Sequence, residues 1–248
     1  MSGHNKWSTI KRKKGAADQK RSKIFSRIVK EIQVSVRESG ADPEGNPRLR
    51  MAIQNAKGAN MPKDNIDRAI NKASGDGANY QEMTFEGYSS GGVAIFIECL
   101  SDNNNRTISN MRAIFNKRNG SLGNNGCLSF IFSRKGIFEV PKGTIDPEEF
   151  ELEVIDAGAE NLELVDDKYI ITTSFEDFGN MQRKLEKMKI EPENAELQRI
   201  PNIYKKVDVD TAKSVLKLVD AFEEDDDVQN VFHNMELTAD IENYMNED

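Results

Sequence analysis

The feature that most limits how this chain can fold is the pattern of residues 136–203. It reads as strand (GIFEV), helix (146–157), strand (NLELV), strand (KYIITT), helix (175–189) and strand (AELQRI). The strands are short runs rich in β-branched and aromatic residues. The helices return an apolar residue every three or four positions, as Phe178, Met181, Leu185 and Met188 do. Asp146-Pro147-Glu148-Glu149 has the form of a capping box with proline at the first helical position, and Gly158 is the stop. A βαββαβ order of this size is that of a ferredoxin-like sandwich.

The flanking segments supply a second sheet. GVAIFIECL (92–100) is a continuous apolar run of the kind buried at a sheet centre. It follows the alternating MTFEGY and an SSGG turn. It precedes a helix over 106–119 with Ile108, Met111 and Phe115 in register. NGSLGNNG then reads as a turn leading into an expected strand, CLSFIF. The C-terminal part adds a helix over 210–224, with Val215, Leu216, Val219 and Phe222 inward, and the strand VQNVFHN.

The N-terminal part is helical. From Asp18 to Ser39 the residues Ile24, Phe25, Ile28, Val29, Ile32 and Val36 share one arc, with Lys23, Arg27, Lys30 and Arg37 opposite. Asn46 and Pro47 suit the start of a second helix, built on Leu49, Ala52, Ile53 and Ala56. Pro62 and Asp64 open a third, with Ile66, Ala69 and Ile70 inward and Gly75 at its end. The expected fold class is therefore α+β: an N-terminal three-helix domain followed by two ferredoxin-like α/β sandwich domains, one inserted in the other. The domain boundaries that follow are 1–79, then 80–135 with 204–248, then the insert 136–203.

Charge is distributed unevenly over this architecture. The first thirty residues hold ten Lys or Arg against one acid, and residues 1–72 hold 17 against 7, a net of +10. The remainder holds 17 against 35, a net of -18, so the chain as a whole is at -8. A dense run of one sign on a body of the other predicts an end that faces a polyanion. Trp7, the only tryptophan, stands among His4, Lys6 and Lys11, where cations suit phosphates and a ring suits base stacking. The competing reading is that Trp7 docks the arm onto the helical domain. The candidate nucleic-acid-binding residues are His4, Lys6, Trp7, Lys11, Arg12, Lys13, Lys14, Lys20, Arg21, Lys23, Arg27 and Lys30.

No catalytic or metal-binding pattern emerges. His4 and His233 are far apart in the chain and neither has metal-ligand spacing. GSLGNNG follows a helix, lacks the lysine of a phosphate loop and precedes a strand, so it reads as a turn needing positive φ. Glu223-Glu224-Asp225-Asp226-Asp227 lacks the alternate ligands and glycine of a calcium loop and reads as a solvated helix end. Cys99 and Cys127 lie in apolar runs without CxxC spacing and are expected to be buried, reduced thiols. VAIFI, the longest aliphatic run, is too short to span a bilayer. A basic, acid-poor N-terminus can mimic a transit peptide, but this one runs directly into an amphipathic helix and reads as mature protein. These features predict a chain that is not an enzyme, with no cofactor, small-molecule substrate or membrane partner.

GHNKWSTIKRKKGAADQKRSKIF, NPRLRMAIQNAKGANMPKDNIDRAI, FEGYSSGGVAIFIECLSDNNNRT, LGNNGCLSFIF and LVDAFEEDDDVQNVFHNME occur in this order over nearly the whole chain. Together they closely resemble the YebC/PmpR family. Its bacterial members are named as transcriptional regulators, and a mitochondrial relative activates translation of cytochrome c oxidase. The resemblance implies three domains, a cytoplasmic location and cofactor-free nucleic-acid binding. It places the functional end at Gly3-His4-Asn5-Lys6-Trp7 through Lys14 and at Arg21 to Phe25. Asn5 stands where the family often has Ser, Ser89-Ser90 replaces a Gly-Pro-like turn, and Cys127 replaces a small hydroxyl residue. Two readings of function follow. One is a DNA-binding transcriptional regulator; the other is a translation factor docking on ribosomal RNA through the basic arm. A protein-binding module that touches no nucleic acid would leave the +10 end without a role. The absence of a visible dimerisation helix argues mildly against palindromic operators and for a monomer.

Overall fold

The computed structural model describes residues 17–75, 79–143 and 146–247. Its helical part comprises α1 (Ala17–Ser39), α2 (Pro47–Gly58) and α3 (Lys63–Ser74). Asn46 organises the turn between the first two. Its Oδ1 accepts from Leu49 N at 3.0 Å, capping α2, while its Nδ2 donates to Ser35 O at 2.7 Å and Gly40 O at 2.8 Å. One buried carboxamide thus satisfies backbone groups at the end of one helix and the start of the next. Asn60, at φ 56°, closes α2 with a left-handed residue, and Met61 N reaches back to Ala56 O at 2.9 Å.

Ile32, Val36, Leu49, Ala52, Ala56, Met61, Ile66 and Ala69 form the core that these helices share. The expected two-faced character of α1 is only partly realised. Ile24, at the start of its stripe, is 45% exposed, whereas Gln33, Val34 and Ser35 are as buried as Ile32 and Val36. Ser35 tolerates this because its Oγ donates to Glu31 O at 2.7 Å.

The described residues fall into two compact units: those of Met1–Lys23, Ala78–Ser133 and Ile200–Asp248, and those of Ile24–Gly77 and Arg134–Arg199. In the second unit the sheet has the order β5-β6-β4-β7, from β4 (Phe132–Pro141), β5 (Ala159–Val165), β6 (Lys168–Ser174) and β7 (Asn194–Pro201). Helices α5 (Pro147–Asp156) and α6 (Phe178–Lys187) complete the βαββαβ order and bury Phe150, Val154, Met181 and Leu185 against Phe138, Val140 and Ile171. Asp146 caps α5 through Glu148 N and Glu149 N, and Gly158 turns the chain at φ 93°.

Helix α2 is tied to this sheet by a side chain that imitates a strand. Asn55 Nδ2 donates to Ala195 O at 2.8 Å and Asn55 Oδ1 accepts from Ala195 N at 2.9 Å. One turn later, a Cβ on Gly58 would overlap the Glu193 carbonyl, so glycine is what allows the close approach. The segment QNAKGAN, which reads as plain amphipathic helix, is therefore also a docking surface.

The first unit contains β1 (Gln81–Tyr88), β2 (Ala94–Ser101), β3 (Ser121–Leu122) and β8 (Val228–His233), in the sheet order β3-β1-β2-β8. β1 and β2 pair antiparallel, with Phe85 opposite Ile97. Helices α4 (Asn104–Lys117), α7 (Val209–Glu223) and α8 (Ala239–Glu247) cover one face, where Ile95, Ile97 and Cys99 meet Phe115, Val219 and Phe222. Ala94 and Phe96 point the other way, onto Leu128, Phe132 and Phe232. Burial on both faces is why 92–100 has no polar alternation. α8 is absent from the sequence reading; Ile241 and Met245 are buried in the core with Tyr244 packed against it, in a helix too short to show a clear stripe.

Three expectations are corrected here. CLSFIF is not a strand: Cys127 N, Ser129 N and Ile131 N close successive turns on Asn124 O, Gly126 O and Leu128 O, and β4 begins only at Phe132. The buried carboxylate of Glu86 holds this loop by accepting from Gly126 N at 2.8 Å and Leu128 N at 2.6 Å. Cys127 is consequently exposed, while Cys99 is buried as expected, and partial burial with the neighbouring Glu86 raises the Cys127 thiol pKa. The acidic run is only half solvated. Glu224 and Asp226 are exposed, but Asp227 is 3% exposed and accepts from Ser101 Oγ at 3.0 Å, Thr107 Oγ1 at 2.8 Å and Arg106 Nη2 at 2.7 Å.

Two stability predictions follow from these ties. Gly58→Ala and Asn55→Ala are each expected to lower unfolding free energy by about 1–3 kcal/mol, through overlap and through unpaired backbone at Ala195 respectively. Asp227→Ala removes the buried carboxylate that accepts from Ser101, Arg106 and Thr107 and is expected to cost about 2–3 kcal/mol, whereas Glu224→Ala, on the exposed side, should cost less than about 0.5 kcal/mol. Urea denaturation of the full chain measures all four.

Candidate nucleic-acid interface

The described cations of the candidate interface lie on α1. An α-helix turns about 100° and rises about 1.5 Å per residue, so Lys23, Arg27 and Lys30 occupy a stripe about 60° wide and about 10 Å long. All three are half-exposed. Arg21 is exposed but falls on the other side of the helix, in line with Ile28 and Ile32. Lys20 belongs to α1, and its side chain lies outside the described residues. His4, Lys6, Trp7, Lys11, Arg12, Lys13 and Lys14 lie outside them altogether.

Lys23 has a structural partner: its Nζ donates to Glu223 O at 3.3 Å. That carbonyl belongs to the last residue of α7, where the helix dipole favours a cation. Other cations of the basic end are also engaged. Arg48 pairs with Glu31 at 2.6 Å and Glu38 at 2.8 Å, and Arg50 with Glu186 at 3.2 Å. Arg68 folds back onto Asp64 O and Asn65 Oδ1. Lys57, Lys63 and Lys72 are different: they are exposed and have no carboxylate partner among the described residues. Sequence reasoning passed over these three, because each is isolated among neutral and acidic neighbours. Only the helix packing shows which cations of 1–72 remain outward.

Two rival sites fail on geometry. In the NGSLGNNG turn, Asn119 and Gly126 take positive φ, of 55° and 88°. Its amide at Gly126 and that of Leu128 just after it already bind the Glu86 carboxylate, so the protein itself occupies the anion position. His233 is buried, and its Nδ1 accepts from Met235 N at 3.2 Å. Among the described residues no group of His, Cys, Asp and Glu is arranged to hold a metal ion, and no helix is long and apolar enough to cross a membrane.

Comparison with known proteins agrees with the sequence motifs. Residues 5–76 match the model of the TACO1/YebC protein N-terminal domain, and residues 80–235 that of the TACO1/YebC second and third domain. A "Probable transcriptional regulatory protein" of Geotalea uraniireducens is 50% identical over 96% of this chain and 97% of its own. One of Amoebophilus asiaticus is 49% identical over 95% of this chain and 98% of its own. The crystal structure of a conserved hypothetical protein from Aquifex aeolicus superposes with a TM-score of 0.80 at 42% identity, covering 90% of this chain and 93% of that one. With both family models matched in order along one α+β chain, the protein belongs to the TACO1/YebC family.

Proposed function

We propose that this protein is a non-catalytic, nucleic-acid-binding regulator of gene expression, and that its ligand is duplex DNA. The observation that carries the reading is the segregation of charge, +10 over residues 1–72 against -18 over the rest. The cationic stripe on α1, together with exposed Lys57, Lys63 and Lys72, supplies groups for phosphate contacts; Trp7 and the arm cations would add stacking and further phosphates. The transcriptional-regulator names of the relatives favour DNA. The acidic body repels polyanions, which orients the chain on its target.

One observation favours a second reading, docking on ribosomal RNA. α3 lacks a base-reading face: Asp64 and Asp67 interrupt its exposed side, and Arg68 is turned back onto its own helix. Phosphate contacts position a protein without conferring sequence identity, so such a surface suits a shaped polyanion as well as an operator.

Affinity should fall with salt at a log–log slope of about -4 to -7 if about 4–8 phosphates are neutralised. Arg27→Gln with Lys30→Gln is expected to reduce that slope by about 2, and adding Lys57→Gln and Lys72→Gln by about 2 more. Fluorescence anisotropy on duplex DNA and co-sedimentation with ribosomes, at matched salt, decide the ligand. Tight, sequence-dependent duplex binding lost in the variants supports the DNA reading. Weak, uniform duplex binding with strong ribosome association lost in the same variants supports the RNA reading. Unchanged binding to both would overturn the role of these cations.

A further inference from the structure

The sheet of the second unit has two edges, and they are treated differently. At β7 the backbone of Ala195 is paired by Asn55, so that edge is covered at its start. At β5 the ladder with β6 runs in regular register from Asn161 to Val165 and closes at the two-residue turn Asp166-Asp167. The pair flanking such a turn, Val165 and Lys168, exchanges hydrogen bonds, and alternation then assigns Glu163 and Asn161 to the ladder. The N–H and C=O groups of Leu162 and Leu164 therefore point off the sheet. No backbone partner meets them among the described residues.

The surface beside this edge is apolar. Leu164 is 51% exposed and Ile155 55%. Their arrangement follows from how α5 sits. Glu153 and Asp156 turn toward Lys184 of α6, so the opposite flank of α5, with Glu151 and Ile155, borders the β5 side. Leu164 shares its strand face with Leu162, which packs into the core beneath the helices. An exposed apolar surface running along an open strand edge is what natural sheets ordinarily avoid.

The charge around it is mainly negative. α5 carries five carboxylates and no cation, and Asp166 and Asp167 follow at the strand end. Three nearby cations are already engaged, Lys184 by Glu153, Lys135 by Glu160 at 2.6 Å and Lys168 by Glu193, which leaves Lys142, whose backbone N–H donates to Asp167 O at 2.8 Å, as the cation at the turn. Glu148, Glu149 and Glu151 are exposed without a cationic partner among the described residues.

We propose that the β5 edge is a protein-docking site that takes an extended, Lys/Arg-rich segment of a partner protein as a fifth strand. Backbone pairing to Leu162 and Leu164 would anchor the segment. Apolar side chains on its inner face would meet Leu164 and Ile155, and its basic residues the acidic rim. The site is independent of the basic end and of which nucleic acid that end binds.

The probe is an eight-residue peptide alternating Val and Lys, with a Val/Glu peptide as counterpart, titrated into the full chain. The Val/Lys peptide should bind at least about tenfold more tightly than the Val/Glu one. Binding should slow hydrogen exchange of the Leu162 and Leu164 amides. Ile155→Lys should weaken it by about tenfold or more, as should Leu164→Pro, which removes an outward N–H without touching the ladder. Should Leu164→Pro unfold the sandwich, the exchange measurement on the unaltered chain decides. Equal binding of both peptides, no binding, or no added protection at Leu162 and Leu164 would overturn the proposal. Concentration-dependent self-association lost on removing residues 1–16 would also overturn it, by making the occupant this chain's own basic segment.

Discussion

Everything else in this structure depends on how buried backbone groups are partnered where no regular element does it. An unpaired buried N–H or C=O costs on the order of 1–3 kcal/mol, so each irregular junction needs a polar side chain of the right length. Asn46 does this between α1 and α2, Asn55 between α2 and β7, and Glu86 for the loop before β4. Asn234 does it after β8, accepting from Ala94 N at 2.8 Å and donating to Ile203 O at 3.0 Å. Each of these side chains is an amide or carboxylate, and all but Asn46 join segments that are distant in sequence. Their geometry, more than the apolar cores, determines where loops end and which helix meets which sheet.

This explains what could and could not be read from the sequence. Periodicity is local, so α1 to α7 and most strands were legible from it, and Asn46 and Asp146 were legible as caps because a cap acts within three residues. Asn55, Glu86 and Asp227 were not. Their partners lie 140, 40 to 42 and 120 to 126 residues away, and nothing in the neighbourhood of each betrays the pairing. CLSFIF shows the cost: its composition favours a strand, but the Glu86 carboxylate claims the amides that a ladder would use. For the candidate interface, the charge imbalance was plain from composition. Which cations are spent on Glu31, Glu38 and Glu186 became visible only in the packing.

The same accounting separates the structural ions from the interactive ones. Arg48 and Asp227 have their charges satisfied inside the fold, and the raised pKa of Arg106 follows first from its hydrogen bond to Asp227 and then from that to Asp102. Such groups stabilise but recognise nothing. Lys57, Lys63 and Lys72 at one end, and Glu148, Glu149 and Glu151 on α5, keep their charge at the surface. Exposed charge of this kind contributes little to stability.

The two proposed surfaces would obey different physics. Binding through a cationic helix gains from counterion release, weakens steeply with salt and is indifferent to shape. Binding through a strand edge rests on directional backbone hydrogen bonds and apolar contact, which salt screens little, with the carboxylate rim mainly setting the rate and sign of approach. If both proposals hold, the chain would engage an assembly of nucleic acid and basic protein at two points. Once one point is held, the second binds at the effective concentration set by the chain itself, so two individually weak contacts can give a selective one. Free nucleic acid would satisfy only the first and a free basic peptide only the second. Selectivity for the assembled target then needs no base-reading helix, which is consistent with the mixed-sign face of α3.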